Sequence, residues 1–113
     1  MEKRKYHRYL LVVDIEHRIE GEDESHFCQS KDISQGGLCI TTIAYPLEKD
    51  SCYAFNFTLP GELEPLQVKG RVVWVREAKS GGEKLYDNGI EFLGLGQELA
   101  KKIGEFSIGT VDH

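Results

Sequence analysis

"LQVKGRVVWVR", residues 66–76, is the stretch from which the rest of the chain is read. It is rich in β-branched residues and sets Leu66, Val68, Val72 and Trp74 on one parity. Strand side chains alternate between two faces, so such a parity marks a strand with one apolar side. The same period recurs on both flanks. On the N-terminal side Tyr53, Phe55, Phe57 and Leu59 share one face of a strand that "PGELEP" (60–65) ends. On the C-terminal side "KSGGEK" (79–84) is a turn signal, and Tyr86 to Leu93 returns as the last strand. Further out, Gly37 to Ile43 and His26 to Ile33 read as strands, and the polar "EGEDES" (20–25) reads as an exposed hairpin tip. Tyr9, Leu11, Val13 and Ile15 alternate in a first strand.

Beyond residue 93 the period changes. Leu95, Leu99, Ile103 and Phe106 recur at helical spacing, which predicts an amphipathic helix over 95–106. Gly104 weakens that helix by roughly 1 kcal/mol relative to alanine, so its end is expected to fray. About six strands of this length would leave long unpaired edges in an open sheet. A six-stranded antiparallel β-barrel, all-β but for a C-terminal α-helix over its mouth or side, is the economical arrangement. One domain over 1–113 is expected: a basic arm at 1–8, the barrel at 9–93, and a helix and tail at 94–113.

Composition sets the class. The chain is 40% hydrophobic and 29% charged, as in ordinary globular domains. It has no run of ~18 apolar residues that could span a membrane, and "LLVV" (10–13) is too short for a signal peptide. A cytoplasmic domain without direct membrane insertion is expected. The three cysteines, Cys28, Cys39 and Cys52, lack metal-ligand spacing and are read as reduced thiols within strands, so no metal site is expected. No nucleophile–base pair or carboxylate dyad stands out, and an enzyme is not expected.

Charge is distributed unevenly. Lys3, Arg4, Lys5 and Arg8 against Glu2 give the first eight residues a net +3; with −5 on the whole chain, the other 105 carry −8. An acidic body disfavours a duplex nucleic-acid binder, which needs a broad basic face. A small anion gripped by a few cations remains compatible.

Two motifs carry the chemistry. The first is Arg4-x-x-x-Arg8. A guanidinium grips phosphate with a planar fork, stacks on a base and matches the O6 and N7 acceptors of guanine. Taken alone, such a pair near a chain terminus is more often a solvated tether. The second is Asp32-x-Ser34-x-x-Gly37, in "DISQGG". An ionised Asp only accepts, so it suits the N–H donors on the Watson–Crick edge of guanine. Ser34 can bond a ligand or pin the local turn, and Gly36 and Gly37 let a flat ring approach the backbone. The same residues also fit a plain hairpin with glycine at positive φ.

In this order, flanking a first hairpin, the two motifs resemble the signature of the PilZ family. "KGRVVWV" (69–75) resembles the family's tryptophan-bearing strand, and "NGIEFLGL" (88–95) its last strand leading into a C-terminal helix. The resemblance covers nearly the whole chain. It implies a barrel that binds the bacterial second messenger cyclic di-GMP, with no other cofactor. It assigns phosphate oxygens and guanine to Arg4 and Arg8, one guanine edge to Asp32 and Ser34, and a clear approach to Gly37. Adenine is disfavoured, because it presents a donor where guanine has O6. A basic residue just before the arginine pair accompanies stacked ligand pairs in this family, and Lys3 stands there. Trp74 is read either against a guanine or in the core with Val72. The expected function is a receptor whose N-terminal arm orders on the ligand and is then read by a protein partner. The alternatives are a PilZ-like adaptor that ignores the nucleotide and a small barrel for single-stranded nucleic acid. The latter needs a basic groove, which the acidic body opposes.

Overall fold

The computed structural model describes residues 9–94 and 96–110. Its strands are β1 (Tyr9–Leu10), β2 (Asp14–Ile19), β3 (Ser25–Ile33), β4 (Gly37–Ile43), β5 (Cys52–Phe57), β6 (Leu66–Ser80) and β7 (Glu83–Leu93), followed by helix α1 (Gln97–Thr110). All pairings are antiparallel, in the order β3-β2-β5-β6-β7-β4, and β4 pairs back onto β3. The result is a closed six-stranded barrel, with the short β1 added alongside the end of β3. Closure removes the sheet edges that open pairing would have exposed.

The alternation read from the sequence accounts for the interior. Ile15, Ile33, Leu38, Ile40, Tyr53, Phe55, Phe57, Leu66, Val68, Val72 and Ile90 point inward and form one continuous core. Leu59, just past β5, and Leu47, in the loop before it, close the ends. Ile103 of α1 is fully buried and Leu99 packs beside it, so the helix covers the barrel with its apolar stripe. The helix runs further than its apolar spacing indicates, to Thr110. At Gly104 a Cβ would stand 2.7 Å from Nε2 of Gln35, the far end of an exposed side chain that can move aside.

The first strand differs from the sequence expectation. It is broken at residues 11–13, although Leu11, Val13 and Ile15 keep their shared inward parity. The break is held by Ser30, whose hydroxyl accepts from the Val13 N–H and donates to the Leu11 carbonyl. Among the described residues, no buried side-chain nitrogen or oxygen lacks a hydrogen-bond partner. None of the three cysteines is in a disulfide. Among the described residues, no helix is long and apolar enough to cross a membrane, and no group of side chains is placed to hold a metal ion.

Candidate functional site

Two one-residue register shifts shape one side of the barrel. In β3 the pairing with β4 passes from Ser30↔Ile40 directly to Asp32↔Cys39, leaving Lys31 as the extra residue. Ser30 points into the barrel, and strict alternation would send Asp32 inward after it. The bulge turns Asp32 to the outer face instead, half-buried, and gives the next inward position to Ile33. In β6 the pairing with β7 passes from Val72↔Ile90 to Trp74↔Gly89, leaving Val73 extra.

This second bulge corrects the core alternative for Trp74. The indole does not share the interior with Val72. It lies half-buried on the outer face, over Gly89, and a Cβ at Gly89 would stand 2.2 Å from the ring. Val75 takes the place against the core.

Asp32 and Trp74 fall on one line. Asp32 pairs with Cys39, Cys39 with Gly89, and Gly89 with Trp74, a single transverse row over β3, β4, β7 and β6. The chain also enters the barrel here, because Leu10 pairs with Asp32 and Tyr9 with Ile33. Arg4, Arg8 and Lys3 lie outside the described residues; the segment carrying them joins the barrel at Tyr9, beside this row.

The "DISQGG" turn is tightly stitched. The Ser34 N–H donates to the Gly37 carbonyl at 2.8 Å, the Gly36 N–H donates to Ser34 Oγ at 3.2 Å, and Ser34 Oγ donates to the Gly37 carbonyl at 3.4 Å. Ser34 is buried, and of its two sequence readings the hydroxyl visibly serves the turn. Neither Gly36 nor Gly37 has a positive φ. Gly37 is required for a different reason: a Cβ there would stand 1.9 Å from the Ile90 carbonyl oxygen, so the backbone of β7 occupies the space. The Gly36 carbonyl accepts from the Phe92 N–H at 3.0 Å, and Gln35 Nε2 donates to the Ala100 carbonyl of α1 at 3.2 Å. The turn therefore joins strand β7 to the helix.

Beside the row lies a charged group that the sequence reading missed. Asp87 Oδ2 accepts from Lys31 Nζ at 2.9 Å and from Arg76 Nη2 at 3.3 Å, and Thr41 Oγ1 donates to Asp87 Oδ1 at 3.2 Å. Burial alone would raise the Asp87 carboxyl, but these hydrogen bonds and the Lys31 charge prevail and hold it below its ordinary value. Arg76 also stands over the Trp74 ring, 5.5 Å from its centroid. A weak signal existed: Arg76 follows Trp74 by two, which puts both on one strand face.

A family profile described as PilZ domain matches residues 2–109. The chain belongs to the PilZ domain family. The PilZ family comprises receptors and adaptors, and the domain is a binding module rather than an enzyme. No curated protein matches the sequence. Among solved structures it is similar to the PilZ domain of YcgR from Escherichia coli, which contains c-di-GMP. The identity there is 14% over 96% of this chain and 91% of that one, at a TM-score of 0.78. It is similar to the K. pneumonia MrkH–c-di-GMP complex at 18% identity and TM-score 0.79, covering 98% of this chain and 53% of MrkH. It is also similar to the Bacillus subtilis inhibitor of motility MotI, at 17% identity and TM-score 0.77, covering 96% of this chain and 51% of that one. The chain thus spans about half the length of MotI and MrkH. At these identities the likeness establishes the PilZ barrel.

Proposed function

We propose that this PilZ domain is a bacterial cytoplasmic receptor for cyclic di-GMP. The observation that carries the reading is the outward row Asp32–Cys39–Gly89–Trp74, with the entry of the basic N-terminal segment beside it. Two structural neighbours, YcgR and MrkH, hold the same dinucleotide. In the proposed complex the Asp32 carboxylate accepts from N–H donors on one guanine edge. That preference disfavours adenine, which lacks the same donor pattern. Arg4 and Arg8 take phosphate oxygens and guanine, with Lys3 adding charge for a stacked second ligand. Ser34, Gly36 and Gly37 contribute by fixing the turn that presents Asp32. Trp74 offers an aromatic surface at the far end of the row.

Signalling follows from the arm. Ordering residues costs on the order of 1–2 kcal/mol each, which the charge-assisted contacts must exceed. Once ordered, the arm forms a new surface that a protein partner reads. Titration calorimetry with cyclic di-GMP tests the site. Arg4→Ala, Arg8→Ala and Asp32→Ala are each expected to lower affinity tenfold or more, about 1.4 kcal/mol. Unchanged affinity in all three rejects the assignment. A folded wild-type chain that gives no heat rejects the receptor and favours the adaptor that binds protein alone.

A further inference from the structure

We propose that Lys31 and Arg76, positioned by Asp87, form a second anion subsite that takes a phosphate of the cyclic dinucleotide; this rests on the function proposed above.

The burial pattern of the three side chains is the starting point. Asp87 points to the outer face of the barrel, yet its side chain is 4% exposed, while those of Lys31 and Arg76 are 51% and 67% exposed. A carboxylate withdrawn from water needs compensation, and one cation with the Thr41 hydroxyl would supply it. Here two cations converge on the same carboxylate oxygen. The group carries a net positive charge, displayed on a body whose overall balance is acidic.

The donors are free to do more. A lysine ammonium has three N–H donors and a guanidinium has five; each spends only part of that set on Asp87. The Asp87 oxygens already accept from Lys31, Arg76 and Thr41, so the carboxylate serves as an anchor rather than as an exposed opposing charge. Its anchoring role is geometric: Lys31 and Arg76 come from different strands, and Asp87 lies on a third between them.

Placement ties the group to the proposed ligand row. Lys31 is the extra residue of the β3 bulge, next to Asp32, and a bulged residue is re-aimed relative to its neighbours. Arg76 pairs with Asp87, and Asp87 in turn with Thr41, one pleat repeat (about 6.8 Å) along the strands from Trp74, Gly89 and Cys39. The guanidinium over Trp74 keeps its remaining N–H donors for a phosphate of a ligand lying along the row toward Asp32.

The test is calorimetry with cyclic di-GMP at low and high salt, on the wild type, Lys31→Ala, Arg76→Ala, Asp87→Asn and Asp32→Ala. Lys31 and Arg76 are exposed enough for their alanine variants to fold, which thermal melts verify. Each is expected to weaken binding about tenfold and to make it less sensitive to salt, as loss of a cation at an anion site requires. Asp87→Asn keeps both cations and the Thr41 contact while removing a negative charge. It is expected to weaken binding several-fold, because the cations lose their shared anchor. Affinity above wild type in Asp87→Asn overturns the positioning role. Alanine variants within twofold of wild type, alongside a large loss in Asp32→Ala, overturn the subsite and leave the receptor intact. A folded wild type that binds no dinucleotide overturns both.

Discussion

Between β2 and β5, and between β5 and the first part of β6, the antiparallel register runs without interruption, whereas β3–β4 and β6–β7 each slip by one residue. On the regular side alternation alone sorts the side chains. Ile15, His17, Tyr53 and Phe55 go in, while Glu16, Arg18, Ala54 and Asn56 line a shallow outer groove of about 400 Å³. On the slipped side the inward parity changes at each slip, and Asp32 and Trp74 both arrive in the same outer row. A strand moved wholesale by one residue would expel its entire core face. A bulge switches the inward parity only from that point on, so Ile33 and Val75 face the core after the slips as Ser30 and Val72 do before them. The barrel thus has a regular wall and a slipped wall, and the second carries the proposed ligand row.

The largest expected effect tests the slipped wall at its tightest point. Gly37→Ala forces a Cβ against the Ile90 carbonyl, a backbone obstacle with no rotamer to yield. A loss of about 3 kcal/mol or more is expected in urea unfolding, at the upper end for overpacking. A loss below about 1 kcal/mol would mean that β4 and β7 separate easily here.

The next test lies in the interior of the regular wall. His17 is buried among Tyr53, Phe55 and Cys28, and burial, with the charge of His26, pushes its pKa down to about 4. The unfolded chain titrates near 6.5, so above that pH His17 is neutral in both states and its environment costs nothing. As pH falls from about 6.5 to 4 the unfolded state takes up a proton that the folded state refuses, and stability drops. About 2 kcal/mol of loss is expected over that window, allowing for solvent screening. Asp87, held below its ordinary value, adds its own loss only at more acidic pH. Melting temperatures of the wild type and His17→Phe against pH check the assignment; the variant should lack the slope between 6.5 and 4.

The smallest expected effect is a control on the regular wall. Lys69 pairs with Glu20 at 2.9 Å, with both side chains largely exposed. Lys69→Ala is expected to leave the melting temperature and the dinucleotide affinity unchanged. A clear loss of affinity would place ligand contacts on the wrong side of the barrel.

Much of the fold was legible because alternation is a local property. Leu66, Val68, Tyr53, Phe55 and Phe57 announced their inward face, and β4 begins and ends at the expected Gly37 and Ile43. The break at residues 11–13 and the bulges at Lys31 and Val73 were illegible, since a one-residue slip leaves no mark in composition. For that reason Trp74 carried the parity of Val72 in the sequence and the opposite one in the structure. "DISQGG" stood out as a motif, yet Gly37 could not be understood without Ile90, 53 residues away, whose carbonyl it must pass. The Lys31–Asp87–Arg76 group was invisible for the same reason: three strands meet there, and no segment of the chain contains its pattern.

The most direct measurement of the central claim is a cyclic di-GMP titration of the isotope-labelled chain, followed residue by residue by NMR. Shifts are expected to concentrate in the Asp32, Cys39 and Gly89 amides and the Trp74 indole N–H, together with the Arg4–Arg8 segment. No shifts at saturating ligand, or shifts confined to Glu16, Ala54 and Asn56 on the regular wall, would contradict the account.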